Sequence, residues 1–486
     1  MQNRQRTDWP ALDHLLRRAG FGATKAETAG YLSMTYGEVV DSLVDAPSAD
    51  VDASIGTPGF LGITARNGFL PNTVINDSRQ RWLFRMVHSP APLQERMALL
   101  WHQHFATAYS KVAGTLNPTD GARMMAAKPS EDPSKVRGQI ELFREKGLGR
   151  FSDLLLEVAR DPAMVVWLDG RTNFKAQPQE NFGRELMELF TFGVENYVES
   201  DVYAAARVFT GWNLALLNRN TPTQYYAFSY NQAQHDDAAK TFSFPIYAEG
   251  SKTIPARNAA AGMQDGLDLI AALARHPETA RRLARRFWTW FVSEVEVPPA
   301  AWVETMAGVY LSSGTEIRPV LRAVFKSEEF RDSRHHYQRY AWPVEFVVRA
   351  LKEEGHLGFS ANDALTPMLN MGQQLFEPPD VNGWALGSAW FSTGGMLARM
   401  NFASALATNQ RFELRNSSRP YNQTPEALID FAISRLTLPD VPAPMYSALM
   451  DYVRAGGTWT GSETQLLNKA GGVFHLLTGS GEYQFV

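Results

Sequence analysis

The chain contains no cysteine, which excludes disulfides, thiolate metal sites and a cysteine nucleophile. It has no charge excess either: 47 Lys and Arg against 51 Asp and Glu leave a formal net charge of −4. Phosphate binding rests on clustered Lys and Arg, so this balance argues against a nucleic-acid partner. The densest basic run, RRLARR at 281–286, surrounds Leu283 and reads as the wet side of an amphipathic helix. No apolar run reaches the roughly 20 residues of a membrane span. No leader is expected in this stretch: Arg17, Arg18 and Phe21 echo a twin-arginine signal, but the small, polar GATKAETAG stands where an apolar segment is required. The expected location is therefore the cytoplasm, or export on a partner's signal. Phosphate loops of the G-x-x-x-x-G-K type, nucleophile elbows, H-E-x-x-H and dinucleotide fingerprints are absent.

What is present is a large apolar fraction. The 486 residues are 44% hydrophobic and include 12 Trp, enough for a core well beyond a minimal domain. Apolar recurrence near 3.6 predicts helices over 78–89, 92–109, 151–161, 180–192, 200–212 and, split near Pro277, 263–292. Ser200 and Thr424 are expected N-caps, and Gly193, Gly211 and Gly355 expected helix stops. The alternating QYYAFSYN (224–231) is expected to pair with KTFSFPIYAEG (240–250). The expected fold is mostly α, a large multi-helix unit with a small β hairpin or meander inserted near 224–250. It is read as one domain over 1–486, with a possible sub-boundary near 215–260.

Four stretches carry chemistry-bearing residues. In ENFGRELMELF, Asn181, Glu185 and Glu188 share one helical stripe, Glu180 lies off it, and Arg184 stands one turn before Glu188. The stripe is either a solvated face or a carboxylate pair serving as acid and base, or as metal ligands. In WHQHF a continuous helix turns His104 inward and His102 outward, so a two-imidazole metal site requires a break at His102. In NQAQHDDAAKTF, His235, Asp236 and Asp237 sit in a polar loop, either a solvated turn or a site. In LFEPPDVNGWALGSAWF (375–391), Asp380 alternates with Trp384 and Trp390 on a proline-stiffened backbone. That suits a sugar-like ligand, or a structural plug in the helical bundle.

These stretches, together with HLLRRAGFGAT (14–24), ARVFTGW (206–212) and LARMNFA (397–403), resemble a bacterial family known as domain of unknown function 1800. The blocks span nearly the whole chain in family order. The resemblance implies a mostly helical fold and no defined reaction. It also implies a neighbouring gene for a sulfatase-like partner. Relatives often carry His at the position of Phe190, so a metal site carried over from them would lack that ligand here. A divalent metal is for this reason not the favoured reading.

The leading expectation is a hydrolase-like enzyme acting on a glycan or another polyhydroxylated substrate. Glu185, Glu188, Asp380, His104 and His235 would be its catalytic groups. Asn181, Arg184, Trp212, Asp236, Trp384 and Trp390 would bind substrate. One alternative is a non-catalytic scaffold or accessory protein for the sulfatase-like partner. Another is a buried polar network that fixes helix packing and holds no ligand.

Overall fold

Helix starts follow local capping chemistry. Thr24 and Thr35 each accept from the N–H of a glutamate three residues on, Glu27 and Glu38, and the glutamate side chain returns the bond. Pro opens the helices Pro92–His104, Pro277–Phe287 and Pro343–Glu354, where its missing N–H would have had no partner. Thr424 caps Pro425–Arg435 by accepting from Ala427 N at 3.1 Å. Ser200 does not cap: the helix Glu199–Val208 begins before it, and Asp201 reaches back to Val198 N at 2.9 Å. Gly193, Gly211 and Gly355 stop their helices in the left-handed region, at φ 86°, 80° and 87°.

The computed structural model describes residues 9–356, 358–438 and 441–486. Residues 1–8 of the stretch read for a leader lie outside the described residues. Twenty-four α-helices and two small antiparallel two-stranded sheets are found among the described residues, so the chain is mostly α with a small β insertion. No helix among them is long and apolar enough to cross a membrane.

The strand pairing differs from expectation. Tyr225–Tyr230 pairs with the preceding Trp212–Leu217, in register Trp212 to Tyr230. Lys240–Thr241 pairs with Thr253–Ile254. The nearer partner wins because residues 218–224 close a short loop, in which Asn218 and Asn220 take φ of 51° and 61°, values that asparagine tolerates.

Elements from both sides of this insertion share one core. Phe151–Ala159 packs on Met263–Arg275, Tyr36–Val44 on Ile317–Lys326, and Ile75–His88 on Pro343–Glu354. Charged side chains stitch it internally. Arg96 and Arg339 converge on Glu345, Arg339 at 2.7 and 2.9 Å, and Arg339 also lies 3.2 Å from Glu294. The last residues close this core. Val486 N donates to Arg339 O at 2.8 Å, Arg349 donates to the Tyr483 carbonyl at 3.1 Å, and Arg399 donates to Gln484 Oε1 at 3.2 Å. Arg17 of the first helix, Trp9–Ala19, donates to the Thr437 carbonyl at 2.7 Å.

Candidate functional site

The ENFGRELMELF block is a short α-helix, Asn181–Glu185, that widens into a π-turn over Leu186–Phe190. Gly183 permits its close approach to the next helix: a Cβ there would stand 2.9 Å from Ala205 Cβ. The turn buries Leu186, Met187 and Phe190 and leaves Glu185, Glu188 and Leu189 half-buried. π-turns are rare and recur at functional sites.

Widening the helix also redistributes its charges. An Arg184–Glu188 ion pair, which their four-residue spacing allows, is not found among the described residues. Arg184 instead binds Glu180 at 3.2 Å and Glu199 at 2.5 Å. Glu188 accepts from the Tyr197 hydroxyl at 2.6 Å, and Arg282 lies close enough to feel its charge. The Glu185 carboxyl has no such anchor among the described residues. Partial burial, then the neighbouring Glu188, pushes its pKa up. Burial, reinforced by the bond to Glu188, raises the Tyr197 hydroxyl to about 12, so it remains a donor. Asn181 donates to Asp169 at 2.8 Å, and Lys111 lies 3.2 Å from the same carboxylate. Glu180 is on the surface, with 43% of its side chain exposed.

His104 sits beneath the π-turn. The helix Pro92–His104 runs through His102 without a break, so the extended geometry that a two-imidazole site needs is absent. His104 points inward, as its stripe predicts, with Nε2 3.0 Å from the Phe190 carbonyl. Burial first, then Arg286 and Arg282, drives its pKa well below the usual range. His102 is not outward: it is 1% exposed because residues 375–391 fold over that face of the helix. Its ring centroid lies 5.3 Å from Trp384, 5.5 Å from Trp82 and 5.7 Å from Phe376, and burial lowers its pKa to about 3. Between the two histidines, Gln103 accepts from Trp384 N at 2.7 Å and donates to Trp384 O at 3.0 Å. WHQHF therefore clamps two distant blocks.

The remaining expected residues stand apart from the carboxylates. Trp384 and Trp390 are each 4% exposed and pack around Trp342, so the loop plugs the bundle and presents no aromatic walls. Asp380 is exposed, and its Oδ1 accepts from Asn382 N at 2.7 Å. His235 is buried, with Nδ1 2.9 Å from the Thr210 carbonyl and Nε2 3.3 Å from Asp265. Lys240 also binds Asp265, at 2.6 Å. Asp236 is held by Arg207 at 2.7 and 3.0 Å. Trp212 is 3% exposed and borders a cavity of only about 20 Å³, room for one water and not for a sugar ring.

Of the expected site, then, Asn181, Arg184, Glu185 and Glu188 share an accessible surface and His104 supports it from below. Asp380, His235, Asp236, Trp212, Trp384 and Trp390 belong to other places. Among the described residues, no group of three or more His, Asp or Glu side chains could hold a metal ion. Sequence reasoning missed Tyr197 and Arg282, which define Glu188. Tyr197 lies past the helix stop, where periodicity carries no information, and Arg282 sits inside a run that reads as solvated.

No curated protein and no solved structure matches the chain. The model of one family, described as "Protein of unknown function (DUF1800)", matches residues 14–485, nearly the whole chain. The chain belongs to the DUF1800 family.

Proposed function

We propose that the chain is a non-catalytic accessory protein that docks a partner on the surface around the π-turn. One observation carries this reading: three large apolar side chains, Val194, Val198 and Tyr203, are 55%, 52% and 52% exposed in the same segment as Glu180, Glu185, Glu188 and Glu199. Exposed apolar groups on a segment where these four glutamates outnumber the one arginine, Arg184, suit a protein partner with a basic, partly apolar face. The sulfatase-like protein implied by the family resemblance is the candidate, and the complex would form in the cytoplasm or leave the cell on that partner's signal. The test is co-expression and co-purification with the neighbouring gene product. A stoichiometric complex is expected, lost in Val198→Asp and Tyr203→Asp. Failure of the folded wild-type proteins to associate would remove the reading.

A second reading is favoured by the carboxylate pair itself. Glu185, unanchored and with its pKa raised by partial burial and by Glu188, neighbours Glu188, which accepts from the Tyr197 hydroxyl; a raised carboxyl beside a second, hydrogen-bonded carboxyl suits a general acid and its partner. The chain would then be a hydrolase-like enzyme working on an extended polyhydroxylated polymer such as a glycan, because the surface is open. His104 would support the turn, and the tryptophans, Asp380 and His235 would take no direct part. Release of reducing ends from a polysaccharide panel, abolished separately by Glu185→Gln and Glu188→Gln in folded protein, is the expected result. Unchanged turnover in both variants would end this reading.

A further inference from the structure

The block HLLRRAGFGAT plays no part in the surface just described, yet it lines a groove of about 490 Å³. The groove runs between the helix Lys25–Tyr31 on one side and the helices Trp9–Ala19 and Tyr36–Val44 with residues 88–92 on the other. Gly20 lets the chain approach Pro92, since a Cβ there would stand 3.0 Å from Pro92 Cβ. Gly22, at φ 79°, turns the chain into the next helix. Leu16, Tyr31, Met34, Leu43 and Pro90 supply apolar walls. The volume lies within the range of small-molecule sites.

One end of the groove is polar, lined by Glu27, His88 and Lys352. The Lys352 side chain is 2% exposed, and its ammonium has Glu27 as partner at 3.2 Å. Glu27 already accepts from Thr24 N at 2.6 Å, and an ammonium has three N–H groups to place. Glu27 is 36% exposed and screened by water, whereas Lys352 is dry, so the cation is the stronger pole inside the groove. His88 accepts from Leu61 N at 3.1 Å through Nε2, which leaves Nδ1 to carry the proton.

We propose that this groove binds a small amphiphilic carboxylate, with its head on the Lys352 ammonium and its hydrocarbon along Leu16, Tyr31, Leu43 and Pro92. Neither reading of the π-turn surface depends on this site. Titration calorimetry of the full chain with octanoate tests it, with octan-1-ol as the probe that keeps the hydrocarbon and lacks the charge. Octanoate should saturate one site, and octanol should bind at least about tenfold more weakly. Gly30→Trp should weaken octanoate binding: Gly30 lines the groove, and a Cβ built there meets no atom within 4 Å, so the larger side chain enters open space beside the groove without a clash. Lys352→Met should weaken octanoate at least about tenfold. If Lys352→Met does not fold, Gly30→Trp and the octanol comparison decide alone. Octanol binding as tightly as octanoate, octanoate binding unchanged in Gly30→Trp, or no saturable heat with octanoate would each overturn the proposal.

Discussion

Glu185→Gln and Glu188→Gln should change stability in opposite directions, although the two residues are three apart on one turn. Removing the charge of Glu185 breaks no bond and relieves repulsion from Glu188. Like charges at this spacing cost about 0.2–0.5 kcal/mol on an exposed helix, so Glu185→Gln should stabilise the fold by about 0.5 kcal/mol. Glu188→Gln relieves the same repulsion but weakens the 2.6 Å bond from Tyr197. A hydrogen bond to a charged group contributes about 1.5–3 kcal/mol when buried, and partial exposure reduces that to about 1. The net effect should be a loss of about 0.5–0.8 kcal/mol. Tyr197→Phe made in the Glu188→Gln background should then cost little, so that the cycle reports a coupling of about 1 kcal/mol. Urea unfolding followed by tryptophan fluorescence gives all four values. The pH dependence has a definite sign: Glu185 holds its proton more tightly when folded, so wild type matches the Gln variant at low pH. It falls behind as pH rises above 4.5, the ordinary glutamate value, through the raised pKa. If Glu185→Gln costs more than about 1 kcal/mol, the carboxyl belongs to a structural polar network and the reasoning fails.

Other perturbations test the core. Glu345 receives Arg96, Arg339 and the Trp342 N–H and is held at about 2. Glu345→Gln should therefore cost about 3–5 kcal/mol in urea titrations, and the Glu345 contribution should disappear as pH falls from 4.5 through about 2. Glu354 is raised to about 8 by burial. The wild type should consequently lose stability relative to Glu354→Gln as pH rises from 4.5 through about 8, measured by thermal unfolding across that range. Gly183→Ala forces a contact at 2.9 Å with Ala205 Cβ and should cost about 1–3 kcal/mol in the same urea assay.

Much of the fold is legible in the sequence because its determinants are local. The split at Pro277 reappears as the helices Met263–Arg275 and Pro277–Phe287, and Thr424 and the three helix-stopping glycines act where their chemistry places them. Reading failed where long-range contacts decide. His102 lies on the face of its helix that periodicity assigns to solvent, but a loop 281 residues beyond its neighbour Gln103 covers it and contacts Gln103. The acidic stripe was visible, whereas the π-turn that redirects Arg184 to Glu199 and gives Glu188 to Tyr197 was not. Trp384 and Trp390 show the limit of composition: aromatic rings amid prolines and carboxylates describe a sugar site and a core plug equally well, and only burial separates them.

The stitching of residues 483–486 into the middle of the chain bears on how the molecule is made. Arg349 and Arg399 wait for carbonyl and amide acceptors that lie 85 to 136 residues further along the chain, and Arg339 waits for Val486 to pair with its backbone. Until then the growing chain carries buried guanidinium groups without their final acceptors and an unsealed apolar interior, a state prone to aggregation. Native packing around these arginines is therefore held back until the distal stretch is available, and co-expressed holdase chaperones that shield nascent chains should raise the soluble yield.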